Sequence, residues 1–296
     1  MSNYLYSTSF VFCLTETYPS CSNLQKTLKL SKTDYQEICS LLNINPSEDW
    51  RATKILSKML NFWNVKKTKE TLKKLIKGKI VLIFGPGPSL EETLEQLKES
   101  LPFSHDSITT IAVDGAANAL LEKNIPITAL VSDLDGCFNL LQKNVSQTTI
   151  KVIHAHGDNI QRLLLLKDII QKGRVIGTTQ TKETLKVRNY GGFTDGDRAV
   201  YLAANFQAKV IILFGFDFGA TVGRYSKPDE HTSHFTTSAR KLLKFKIAKK
   251  LLTVLPQHFP ESSFFNATIN SSLETPLFQT IEIEKVVSLL PKERHY

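Results

Sequence analysis

"IVLIFGPGPSLEETLEQLKES", residues 80–100, contains the repeating unit from which the fold can be read. Ile80 to Phe84 form an apolar run too short for a buried helix, and the right length for a strand covered on both faces. Gly85 to Ser89 interrupt it, after which Leu90, Leu94 and Leu97 return at helical spacing. The same alternation recurs downstream. "ITTIAV" (108–113) stops at "DGA", "ITALV" (127–131) at "SDLDG", and "IKVIHA" (150–155) at "HGDN", with "IQRLLLLKDIIQK" (160–172) behind it as a helix. "RVIG" (174–177) precedes "TTQT", and "KVIILF" (209–214) is closed by "GFDFG". Repeated strand, polar turn and helix predict an α/β fold, a mostly parallel sheet flanked by helices on both faces. Ligands of such sheets collect outside the carboxyl ends of the strands. The unusual polar clusters of this chain sit at those ends.

Upstream, glycine is absent until Gly78. "SEDWRATKILSKMLNFWN" and "KETLKKLIKGK" space apolar residues by three and four, as amphipathic helices do. Ser47 or Asp49 is the expected cap of the first. Three parts are expected: a helical N-terminal region (1–78), an α/β catalytic domain (79–255) and a C-terminal extension (256–296) packed on the core. The last part of the chain, from about His231, reads as a long basic helix, a strand candidate at "SFFNAT" (263–268) and a final segment ending in "EKVVSLL".

The 296 residues are 42% hydrophobic and 22% charged, an ordinary globular balance. Cys13, Cys21, Cys39 and Cys137 are scattered without a CxxC pair, so neither a zinc knuckle nor a disulfide scaffold is expected, and a reducing, cytoplasmic setting is. No apolar run has bilayer length, and "MSNYLYSTSFVFCLTE" lacks the basic start of a secretory signal, so no membrane partner is expected. The net charge of +9 raises nucleic acid as a partner. Its excess lies in residues 51–79 and in "RKLLKFKIAKK" (240–250), neither interleaved with the aromatics that base stacking uses. Both runs are read as solvated helix faces, with steering of a nucleotide the second role for the latter. Nucleic acid is not expected, and self-association is left open.

"GPGPSL" (85–90) ends a strand and opens a helix. Its glycines allow backbone N–H groups close to a phosphate, although a tight turn capped by Ser89 explains it equally well. "VDGAAN" places Asp114 and Gly115 at the next strand end. In "SDLDG", extended backbone over 133–135 would point Asp133 and Asp135 to one side, and paired carboxylates repel unless a cation lies between them. "HAHGDN" supplies His154, His156, Asp158 and Asn159. Its HxHxD spacing is similar to the zinc-binding stretch of metallo-β-lactamases, but Asn159 stands where a further histidine belongs. A zinc hydrolase is therefore an alternative reading, with hydrogen bonding to phosphate or substrate the other use of the histidines. In "GGFTDGDRAVYLAANF" (191–206), Asp195 is the expected helix cap, while Asp197 and Arg198 in the first turn exceed what a cap requires. Arg198 suits phosphate oxygens. "GFDFG" adds Asp217.

In this order, "GPGPSL", "VDGAAN", "SDLDG", "HAHGDN", "GGFTDGDRA" and "GFDFG" resemble the archaeal hydroxymethyl-dihydropterin pyrophosphokinases, the MptE-like family, over roughly residues 80–226. The plan "DGAAN", "DLD", "TD" is also similar to the catalytic core of thiamine pyrophosphokinase. The resemblance implies Mg2+-dependent transfer of diphosphate from ATP to 6-hydroxymethyl-7,8-dihydropterin with release of AMP, feeding tetrahydromethanopterin or folate synthesis. It implies Mg2+ on Asp133, Asp135, Asp195 and Asp197, and Arg198 on the phosphates. Gly85, Gly87, Ser89, Asp114, Gly115, Asp158 and Asn159 would serve the nucleotide, and His154, His156 and Asp217 the substrate. Related domains act in sugar transfer to bacterial flagellins, so a nucleotide-sugar enzyme stands as a further alternative, beside a thiamine pyrophosphokinase-like one.

Overall fold

The computed structural model describes residues 30, 32–97, 103, 105–142, 148–271, 273 and 278–290. The start of the chain, with Cys13 and Cys21, lies outside them. Three helices come first: α1 (Lys32–Leu42), α2 (Pro46–Met59) and α3 (Phe62–Ile76). The expected cap of α2 is corrected. Asn45 caps it, its side chain accepting from Ser47 N, with Pro46 at the first helical position where a missing N–H costs nothing.

The alternating segment follows: β1 (Ile80–Phe84), α4 (Leu90–Leu97), β2 (Ile108–Val113), α5 (Ala116–Glu122), β3 (Ala129–Ser132), α6 (Phe138–Gln142) and β4 (Ile150–Ala155). The single helix expected over 160–172 divides at Leu166 into α7 (Ile160–Leu165) and α8 (Lys167–Lys172). Next come β5 (Val175–Thr179), β6 (Val187–Arg188), α9 (Asp195–Asn205), β7 (Val210–Phe214), and a hairpin of β8 (Thr221–Val222) with β9 (Phe235–Thr236). The basic helix α10 (Ala239–His258) runs past residue 255, and β10 (Ser263–Asn266), β11 (Gln279–Thr280) and α11 (Ile283–Leu289) end the described chain.

Among the described residues, nine strands form one parallel sheet in the order β11-β10-β7-β1-β2-β3-β4-β5-β6. Alternation along each strand splits the core into two faces. Leu82, Phe84, Leu130 and Ile153 pack under α2, α4, α5, α7 and α11. Val81, Ile83, Val131 and Val152 pack under α1, α9, α10 and the end of α3. The N-terminal helices thus share both hydrophobic faces of the sheet, and α2 carries Ala52 and Leu56 into the first with no exposure. No helix of the described residues is long and apolar enough to cross a membrane.

The strand order decides where a ligand can sit. From β1 the chain adds β2 to β6 on one side, then returns to place β7 on the other side of β1. The strand order thus reverses between β1 and β7, and outside the carboxyl ends of strands at such a switch point a ligand crevice is expected.

Candidate active site

That crevice is the mouth of a cavity of about 540 Å3. Asp114 follows β2, Asp133 follows β3, and Asp195 opens α9. One oxygen from each lies within 4.8 Å of the others, the single such grouping of potential metal ligands among the described residues. Asp114 adopts a left-handed φ of 45°, which aspartate tolerates better than most residues. Its carboxylate accepts from Gly136 N (2.8 Å) and from the Ser132 hydroxyl (2.6 Å), and so shapes the turn after β3.

That turn is not extended. Leu134 has φ 72° and its N–H donates to Ser132 Oγ, so the expected alignment of Asp133 with Asp135 does not form. Asp133 faces Asp195. Asp135 lines the cavity but pairs with Arg162 at 2.7 Å and stands 3.7 Å from Lys227.

The charge crowding shows in the acidities. Burial, then the charge of Asp133, pushes Asp114 up to about 7. Burial, with Asp133 and Asp114 beside it, pushes Asp195 well above the carboxylate range. Burial also opposes the charge on Asp133, but His156, Nε2 at 3.2 Å from Asp133 Oδ2, and the Lys244 ammonium hold it down to about 2. A pocket that raises two carboxyls around a third that stays ionised suits a hard cation with oxygen ligands.

The question of two aspartates in "TDGDR" has a structural answer. Thr194, rather than Asp195, caps α9, and Asp197 closes a capping box. Asp197 accepts from Phe193 N and Thr194 N at 2.7 Å each, is fully buried and does not line the cavity. Asp195 is thereby left free for the site.

Arg198 is corrected as well. It is 1% exposed, donates to the Phe193 carbonyl at 3.1 Å and approaches His154 Nε2 at 3.3 Å, under the helix and away from the cavity wall. A guanidinium only donates, so His154 Nε2 accepts and its proton resides on Nδ1, 3.3 Å from Thr178 Oγ1. Burial, then the Arg198 charge, lowers His154 well below the usual imidazole value, keeping it neutral.

His154, His156 and Asp158 line the cavity without forming a metal grouping of their own, which leaves the HxHxD zinc reading without its geometry. Asp158 is well exposed, 3.9 Å from Arg240. Asn159, fully buried, donates to the Asp133 and His154 carbonyls at 2.8 and 2.7 Å and accepts from His156 N. It braces the two loops and does not line the cavity.

At the crevice itself, Gly85 and Gly87 line one side and Gly215 and Asp217 the other. A Cβ on Gly87 would come within 1.8 Å of Asp217 Oδ2, so only glycine allows the loops to meet. Asp217 accepts from Ser89 N and Oγ, which occupies Ser89 in joining the two loops rather than in lining the cavity. Gly115 likewise makes room, since a Cβ there would strike the Tyr225 carbonyl.

Two further walls come from segments whose first reading was different, a cap at Asp49 and a solvated face in 240–250. Asn45, Glu48 and Asp49 reach the cavity from α2 and its cap. Asp49, 1% exposed, accepts from Tyr35 Oη (2.6 Å), Gln180 Nε2 (2.7 Å) and Gly157 N (2.7 Å), tying α1 and α2 to the ends of β4 and β5. Arg240, Lys241 and Lys244 of α10 also line the cavity, so this part of the basic run is not merely a solvated face. The signal was present in both: an aspartate on the apolar side of a helix, and lysines spaced by three.

Residues 55–223 match the family described as 6-hydroxymethylpterin diphosphokinase MptE-like. The chain belongs to this family. It is 40% identical over 225 residues to the 6-hydroxymethyl-7,8-dihydropterin pyrophosphokinase of Pyrococcus furiosus, covering 75% of this chain and 90% of that one. With the proteins of the same name from Methanocaldococcus jannaschii and Methanothermobacter thermautotrophicus the identities are 36% over 226 residues (75% and 92% covered) and 38% over 177 (60% and 74%). Among solved structures, the MAf glycosyltransferase of Magnetospirillum magneticum AMB-1 is similar at a TM-score of 0.38 and 14% identity, over 75% of this chain and 38% of that one. That likeness is too loose to bear on chemistry.

Proposed function

We propose that this protein transfers diphosphate from ATP to 6-hydroxymethyl-7,8-dihydropterin and releases AMP, with Mg2+ as the resident cation. The observation that carries the reading is the Asp114, Asp133 and Asp195 cluster, set at strand ends beside a glycine-lined crevice. Three relatives carry the name 6-hydroxymethyl-7,8-dihydropterin pyrophosphokinase, which supports the acceptor and the group transferred. The donor set fits the ion: three carboxylate oxygens, two of them on groups whose ionisation is unfavourable until a cation arrives. On this reading Asp114 takes the place expected of Asp135 and Asp197. When bound, the ion would draw charge from the phosphate oxygens.

The chain's own residues supply position and electrostatics, which is most of what phosphoryl-type transfer requires. The N–H groups of Gly85 and Gly87 donate to the Phe214 and Gly215 carbonyls at 2.8 and 3.0 Å, so this turn shapes the crevice and leaves the phosphates to side chains. His156 keeps Asp133 ionised, and Asn159 keeps the His156 loop against it. The acceptor's hydroxyl oxygen bonds to the β-phosphorus as the bond to the oxygen bridging the α-phosphate breaks. The electron pair leaves on AMP, and the hydroxyl's proton passes to a carboxylate of the cluster. Small molecules, ATP and the pterin, are then the partners, in the cytoplasm, and the product feeds tetrahydromethanopterin or folate synthesis.

Incubation of the purified protein with ATP, Mg2+ and the hydroxymethyl pterin tests this. AMP and pterin diphosphate are expected in equal amounts. ADP as the sole nucleotide product would overturn diphosphate transfer.

A further inference from the structure

The cation foreseen at Arg198 has to come from elsewhere, because Arg198 does not reach the cavity. The basic helix α10 is the other source, and it lies outside the matched residues 55–223. Lys241 and Lys244 stand on one face of its first turns, three residues apart, and both line the cavity with Asp114, Asp133 and Asp195. Lys246, two residues on, is exposed and absent from the lining.

Both cavity lysines are half-buried. Among the described residues neither has a carboxylate within ion-pair distance, whereas Lys227 stands near Asp135 and Glu230, and Arg240 near Asp158. The Lys241 ammonium donates to Ser226 Oγ at 2.7 Å, which fixes its direction while using one of its three protons. Burial and the charges of Lys244 and Lys227 disfavour the Lys241 ammonium more than Asp114 and Asp135 favour it, so an anion shared by the two lysines would stabilise both.

We propose that Lys241 and Lys244 form the polyphosphate-binding wall of the cavity, taking the oxygens of a triphosphate tail beside the three carboxylates. The inference rests on the reading of the site as one for a nucleoside triphosphate, and goes beyond it by naming the residues and the helix that hold the anion. Lys241, anchored on Ser226, is the fixed point. Both charges are felt at the carboxylate cluster, that of Lys244 at Asp133 and that of Lys241 at Asp114.

Equilibrium binding of inorganic tripolyphosphate, with and without Mg2+, tests the wall without requiring turnover or a pterin. Wild-type protein should bind it with an affinity that falls as salt rises. Lys241→Gln and Lys244→Gln should each weaken binding about tenfold and flatten the salt dependence, whereas Lys246→Gln should match wild type. Circular dichroism and melting temperature verify that each variant is folded. Affinity within twofold of wild type in the folded Lys241→Gln/Lys244→Gln double variant would overturn the proposal, as would absence of tripolyphosphate binding by wild type. AMP assays on the same proteins separate the two readings. If wild type makes AMP and the double variant binds tripolyphosphate normally, only the lysine wall fails. If no AMP forms while the lysines govern tripolyphosphate binding, it is the diphosphokinase reading that fails.

Discussion

The backbone N–H of Asp133 donates to Asp195 Oδ2 at 3.2 Å, across 62 residues of chain. One aspartate follows a strand and the other opens a helix. Their meeting, with Asp114 alongside, brings three acidic side chains into a space the size of one coordination sphere.

Removing either charge should stop the reaction without unfolding the protein. Asp133→Asn and Asp195→Asn are expected to lower AMP release by on the order of 100-fold or more. Asp135→Asn, whose partner is Arg162, should cost far less. Steady-state rates beside circular dichroism check both; near-normal turnover in the first two variants would remove the cluster from the mechanism.

Mg2+ should stabilise the fold more as pH rises. Asp114 is pushed up to about 7 and Asp195 well upward, chiefly by burial, against about 3.9 for an unfolded aspartate. Above pH 4 the folded state therefore keeps protons that the unfolded chain has shed. This contribution to stability is complete below pH 4 and is lost as pH rises through the folded values. A cation substitutes for those protons. The slope from neutral, buried His154 runs the other way below about 6.5, but is common to samples with and without Mg2+ and cancels in the difference. The Mg2+-induced rise in Tm should be near zero at pH 5 and several degrees at pH 8. Equal shifts at both would contradict the assignment.

Arg198→Met should destabilise without altering recognition of ATP. The change deprives the Phe193 carbonyl of its donor and removes the buried positive charge that acts on Asp195 and Asp197. A loss of about 3 kcal/mol is expected. Chemical denaturation reads the loss, and KM for ATP in the folded fraction should stay within about twofold. A large rise in KM would return Arg198 to the phosphates.

Asp49→Ala tests whether the N-terminal helices belong to the site. It removes the acceptor of Tyr35, Gly157 and Gln180 together, for a cost of about 2–4 kcal/mol. Because Gly157 follows His156, the change should also lower kcat more than it raises KM for ATP. A variant as stable as wild type would leave α2 without a structural tie to the site.

Much of the fold was legible because short apolar runs ended by glycine and aspartate admit few arrangements, and the position of the cavity followed from strand order. The division of labour within each motif was not legible. In "TDGDR" a capping box uses one aspartate and frees the other, a choice made by the φ and ψ of Thr194. In "SDLDG" the left-handed Leu134 undoes the strand alternation that paired Asp133 with Asp135. Arg198 looks like a phosphate ligand by type, yet the loop carbonyls and His154 turn it inward. Asp49 and the α10 lysines lie far along the chain from the motifs, and only packing brings them to the cavity.

Diffraction at the manganese absorption edge, from crystals grown with Mn2+ and a non-hydrolysable ATP analogue, tests the central claim most directly. The account predicts an anomalous peak within coordination distance of Asp114, Asp133 and Asp195, with phosphate oxygens completing the shell. A peak seated on His154 and His156, or nucleotide bound with no cation at the three carboxylates, would contradict it.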